Sequence, residues 1–134
     1  MFNDNPYIMT EQEIEELRKK RDDSGLNPEI KTLRRGAVVM NADRTGTDKA
    51  AVGSTWKEYW QIFTLQDFPS MCPLCGKQLI KDNIDGCHIK IYHANTKHWS
   101  LRKYIVPGHH SCNVSLVNPF QLQISAIAVQ AIEK

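Results

Sequence analysis

Two pairs of metal-binding side chains share one spacing in this chain. Cys72 and Cys75 in "CPLCG" are separated by two residues, and so are His109 and Cys112 in "HHSC". Thiolates three positions apart on a tight turn form a knuckle, and Gly76 lets the backbone fold so that N–H groups approach sulfur. Structural zinc takes four ligands, so the first pair needs the second. The spacing predicts one structural zinc ion per chain, held by Cys72, Cys75, His109 and Cys112, with Gly108 giving the second pair freedom to turn. His110, Cys87 and His88 are the rival ligands. His110 is out of register for a knuckle, while Cys87 keeps a claim on the fourth position. With one close pair and two isolated thiols, the four cysteines do not read as a disulfide framework.

Between the two pairs lies "DGCHIKI" (85–91), and its His88 is the next candidate for chemistry. A neutral imidazole can take a proton from water when its other nitrogen is held in place. The succession "CPLCG", "DGCHI", "YIVPGHHSCN" resembles the zinc-containing branch of the HNH (His-Asn-His), or ββα-metal, endonuclease family over residues 72 to 118. That resemblance implies a treble-clef-like unit: a first knuckle, a strand bearing an acid and a histidine, a second strand, and a second knuckle opening a helix. It implies further that Cys72, Cys75, His109 and Cys112 are the zinc ligands and that His88 is the general base. Asn113 follows the second knuckle, where it would orient His88 or ligate a catalytic magnesium or manganese ion. The partner implied is nucleic acid, DNA ahead of RNA.

One departure from the family pattern bears on activity. Where the family carries an acid immediately before the central histidine, this chain has Cys87. Magnesium takes oxygen ligands, and a thiol is a poor substitute. Asp85 lies two residues earlier, on the same face of an extended strand but about 6 to 7 Å away. It can replace the missing carboxylate only if the strand bulges at Gly86. "GCHI" and "KYIVPGHHSCN" also resemble a group of small bacterial HNH relatives that lack the acid. The alternative expectation is therefore a non-catalytic zinc module that binds nucleic acid or protein, with His88 kept for structure.

The elements that must position these residues are legible in part. Thr10 and Glu13 form a capping box ahead of a helix over 11–22, with acids in its first turn and bases in its last. Thr55 and Glu58 do the same for a helix over 55–66, whose Trp56, Tyr59, Trp60 and Phe63 fall on one face. "GAVVM" (36–40) reads as a short strand or buried extended segment, and 41–54 as a loop. Asn118 and Pro119 suggest the start of a third helix, over 119–132, with Leu122, Ile124, Ile127, Ala128 and Ala131 forming its apolar face. The expectation is an α+β fold in which a zinc-centred ββα unit at 70–118 is flanked by these helices. Residues 1–54 would supply a helix and connecting loops, and 55–134 the zinc domain. The aromatic helix and the C-terminal helix are the faces expected to support a homodimer.

Composition agrees with a globular chain of this kind. Of the 134 residues, 41% are hydrophobic and 24% charged, and no apolar run approaches the ~20 residues that span a bilayer. The start lacks the pattern of a signal peptide, so a cytoplasmic protein without membrane association is expected. Residues 1–70 carry ten Lys and Arg against twelve Asp and Glu, whereas 71–134 carry seven against three, together with all five histidines. The basic half contains Lys90, Lys97, Arg102 and Lys103 among Tyr92, His93, His98 and Trp99, a composition suited to gripping phosphates and stacking bases.

Overall fold

The computed structural model of the chain describes residues 8–42, 48–115 and 119–134. Helix α1 spans Glu11–Ser24 and begins at the expected capping box: the Glu13 N–H donates to Thr10 Oγ1 at 3.1 Å, and the Thr10 N–H donates to Glu13 Oε1 at 3.0 Å. It stops where Gly25 adopts φ 67, a left-handed conformation that costs glycine little. Helix α2 spans Trp56–Thr64, capped by Thr55, and buries Tyr59, Trp60, Ile62 and Phe63. Lys20 Nζ, 2.8 Å from Glu58 Oε2, ties the two helices together.

Seven antiparallel strands make up the sheet: β1 (Ile30–Leu33), β2 (Val38–Asn41), β3 (Ile84–His93), β4 (His98–Trp99), β5 (Tyr104–His109), β6 (Phe120–Gln121) and β7 (Ala126–Gln130). The order is β1-β7-β5-β3-β2-β6, with β4 paired to β3. A short helix, α3 (His110–Ser115), follows β5 directly. The architecture is therefore mixed α+β, built on an antiparallel sheet to which the N-terminal segment contributes two strands.

Alternation along β3 divides the interior in two. Cys87, Ile89 and Ile91 enter one buried cluster with Val106, Tyr104, Leu79 and the knuckle cysteine Cys72. On the other face Ile105 and Val129 pack against Tyr59, Trp60, Ile62 and Phe63 of α2. The polar tips of the aromatics are tied down as well. Tyr59 donates its hydroxyl to the Gln130 carbonyl at 2.6 Å, and Trp60 Nε1–H donates to the Ile127 carbonyl at 2.8 Å.

The helix expected over 119–132 is replaced by strands β6 and β7. The "AIAV" run is apolar at consecutive positions, a pattern that suits a strand buried on both faces as well as a helix. Here Ala128 joins the first cluster and Val129 the second, so a strand buries both sides of the run, which a surface helix would not. Asn118, the expected cap, lies outside the described residues, as do 43–47 of the expected loop. This also changes the routes foreseen for self-association: the aromatic face of α2 is consumed within the chain, and the apolar C-terminal helix face does not exist.

Candidate metal centre and adjoining cleft

The turn that carries Cys72 and Cys75 is closed by backbone bonds. The Cys72 N–H donates to the Lys77 carbonyl at 2.8 Å and the Gly76 N–H to the Cys72 carbonyl at 2.7 Å. Gly76 stands at φ 77, as a tight turn behind two sulfurs demands. The second pair comes from one junction, with His109 ending β5 and Cys112 in the first turn of α3. Antiparallel pairing of β3 with β5 thus brings together residues more than thirty positions apart in sequence.

One donor atom from each of Cys72, Cys75, His109 and Cys112 lies within 4.8 Å of the others, close enough to bind a metal ion. In tetrahedral zinc, with Zn–S near 2.3 Å, thiolates stand about 3.8 Å apart, so a small inward movement completes the site. His109 is already oriented. Its Nδ1 is 3.1 Å from Cys75 Sγ, while its Nε2 is 2.8 Å from the Gln78 carbonyl, which leaves Nδ1 as the ligand and Nε2–H as the donor to that oxygen. The His109 backbone N–H donates to Cys72 Sγ at 3.3 Å.

Electrostatics within the cluster favour a cation. Burial opposes ionisation of Cys75, but the Lys77 backbone and the His109, Cys112 and Cys72 side chains lower its pKa to about 7. Burial, followed by the neighbouring sulfurs of Cys75 and Cys72, raises Cys112 to about 12. Crowded thiolates repel one another, and a bound divalent ion removes that penalty.

Neither principal rival belongs to the cluster. Cys87 is fully buried in the core, where burial and the negative charge of Asp85 push its thiol well up. His110 turns outward, its Nδ1 2.6 Å from Asp85 Oδ2.

Beside the metal centre, where the start of β3 meets the N-terminus of α2, is a cleft of about 400 Å³. His88, Asp85 and Asn113 all line it, together with Asp48 and Trp56. Asn113 Nδ2–H donates to Asp85 Oδ2 at 3.1 Å, on the same oxygen that His110 approaches. His88 is only 4% exposed and meets the Trp56 ring edge-on at 4.6 Å between centroids. Its Nε2 is buried without a hydrogen-bond partner among the described residues.

The bulge that would carry Asp85 to the place of Cys87 does not form. Residues 84 to 89 pair without interruption with 109 to 104. Gly86 serves another purpose. A Cβ there would lie 2.5 Å from the Trp56 carbonyl carbon and 2.6 Å from the Lys57 nitrogen, so the glycine lets α2 cross directly over β3. Among the described residues, the Cys72–Cys75–His109–Cys112 cluster is the one group of three or more His, Cys, Asp or Glu side chains placed to hold a metal. The magnesium or manganese expected near His88 has no comparable set of ligands among the described residues.

His88 carries a pH signature. Burial lowers its pKa from 6.5 to about 4, with Asp48 acting upward and Lys103 downward. As pH falls below about 6.5, the unfolded chain takes up a proton at this position that the folded chain refuses. The stability linked to neutral His88 is present above that pH and is lost as pH falls toward 4, by on the order of 3 kcal/mol. Urea midpoints measured at pH 7.5 and 5.5 should therefore differ more in the wild type than in His88→Leu, which cannot titrate. Any loss linked to metal release is common to both proteins and cancels in the comparison, and parallel pH slopes would contradict the assignment.

Sequence reasoning missed Asp48, Trp56 and His110 as neighbours of the predicted site residues. The first two reach the cleft from a separate segment, so no local spacing marks them; the only hint is the small residue at Gly86. No described helix is long and apolar enough to cross a membrane. No family model, curated protein or solved structure matches the chain.

Proposed function

We propose that this chain is a zinc-centred, HNH-like protein that acts on nucleic acid, with the cleft beside the metal centre as its reaction site. The observation that carries the reading is that His88, Asp85 and Asn113, drawn from β3 and α3, line one cleft next to a Cys3His cluster. With β3 and β5 following the first ligand pair and α3 opening at the second, the order of elements is the one the ββα-metal reading expects. Three thiols and one imidazole suit zinc, whose role here is to pin the knuckle turn to the end of β5. In this reading neutral His88, its ring held by Trp56, takes the proton from a water whose oxygen attacks the phosphorus of a phosphodiester. The bond to one bridging oxygen breaks, and that oxygen leaves with a proton from solvent. Asn113 and His110 hold the Asp85 carboxylate at the mouth of the cleft.

A second reading, a zinc-stabilised module that binds nucleic acid without cutting it, is favoured by the chemistry at Cys87. The thiol there faces the core, and among the described residues no ligand trio stands beside His88. A nicking assay on duplex and branched DNA with magnesium, manganese or nickel separates the two, once zinc is confirmed at one per chain. A general base contributes roughly a hundredfold or more, so His88→Ala should lower cleavage at least that far. Cleavage that survives the substitution would remove His88 from the mechanism, and absence of cleavage with every metal would leave the binding module.

A further inference from the structure

The face of β3 that carries His88 continues past α2. Lys90 and Tyr92 follow at alternate positions, and Tyr92 pairs with Trp99 of β4, the two rings meeting at 5.2 Å between centroids. Lys90 is opposite Met40 of β2, and one position beyond the Ile89–Tyr104 pair its other neighbour is Lys103. Lys90, Lys103, Trp99 and Met40 enclose a pocket of about 220 Å³.

Two cations, an indole and a thioether around one small pocket form an unusual setting for solvent. Lys103 is shared with acids, standing 3.5 Å from both Asp48 and Glu133. Lys90 makes no ion pair among the described residues, although it is only partly exposed beside a second lysine. An anion on Lys90 supplies that ammonium with the counter-charge that Asp48 and Glu133 already give Lys103. An aromatic face next to such an anion site suits a planar base, because every base can stack whatever its identity.

We propose that this pocket holds one unstacked nucleotide of a single-stranded nucleic acid, its base against Trp99 and its phosphate on Lys90 and Lys103. The proposal rests on the nucleic-acid reading above and narrows it to single strand. Bases inside a duplex are already stacked on their neighbours, so a lone indole gains nothing from them. Asp48 links the two sites, since it lines the His88 cleft and pairs with Lys103 of the pocket.

The test is fluorescence anisotropy with fluorescein-labelled dT12 and with its dT12·dA12 duplex, across 50 to 200 mM salt, using the zinc-loaded full chain. Trp99→Ala should weaken dT12 binding by about fivefold or more, with Trp99→Phe largely restoring it. Lys90→Ala should weaken it and also reduce the slope of log affinity against log salt by about 0.7, the signature of one lost phosphate on a single strand. Duplex affinity should change by less than about twofold in all three variants. Lys103 is left in place because its pairs with Asp48 and Glu133 contribute to the fold. Unchanged dT12 affinity and slope, or equal losses on both probes, would overturn the pocket while leaving the nucleic-acid reading intact. A wild-type protein that binds neither probe would overturn both.

Discussion

Replacing Cys72 with serine is expected to strip the protein of its metal and lower its melting temperature by roughly 15 °C or more, since a structural zinc contributes several kcal/mol to folding. The effect should be large because the ligands are also core residues. Cys72 and Cys112 share a buried cluster with Leu74, Leu79, Ile84 and Val106, so a relaxed metal site loosens apolar packing as well as the knuckle turn. Besides that packing, the turn is held by backbone bonds, by the bridge between Met71 and Gln78 and by the two bonds of His109 to Cys72 and Gln78. Elemental analysis should fall from one zinc per chain to none, and chelation of the wild type should reproduce the shift in a thermal melt followed by circular dichroism. The loss should begin around residues 70–80 and α3, seen as early hydrogen exchange, before β1 and β7 at the far side of the sheet. A variant that melts with the wild type would mean that the four side chains cluster without binding metal.

Among the described glycines, Gly86→Ala should be the most damaging added methyl group, at about 3 kcal/mol or more, the upper end for overpacking. The atoms it would meet are backbone atoms of Trp56 and Lys57, which cannot rotate away as a side chain does. Moving α2 is the only relief, and α2 is anchored by four buried side chains and by the bonds of Tyr59 and Trp60 to β7. Gly36→Ala makes a useful control. Gly36 has φ 89 but nothing within 4 Å of the added methyl, so only the conformational cost of about 1 kcal/mol applies. Denaturant midpoints for both variants test the difference, and similar losses would mean that α2 does not press on β3.

The features that were legible beforehand are local ones. The Thr10 capping box read correctly because it is completed within four residues. Thr55 caps α2 as expected, but the reciprocal half of its box does not form: Glu58 Oε1 accepts from the Ser54 N–H at 2.7 Å instead of from Thr55. The four side chains expected as metal ligands do come together, because a knuckle is a local turn and a tetrahedral ion demands two of them. Those are constraints that a short window of sequence contains.

What was misread depends on the other side of a contact. "AIAV" became a strand because β1 and β5 flank it and both its faces are buried, and nothing within the run reveals either neighbour. Gly86 looked like licence for a bulge, whereas its reason is a helix that begins thirty residues earlier. His110 looked like a spare ligand until the β3–β5 pairing set Asp85 beside it. Residue type and spacing thus settled which side chains could take a metal and where helices begin, since those energies are made among near neighbours. The tertiary fold decided which faces are buried, which carboxylate meets which histidine and which glycine is indispensable, since those energies arise only between segments that the sheet brings together.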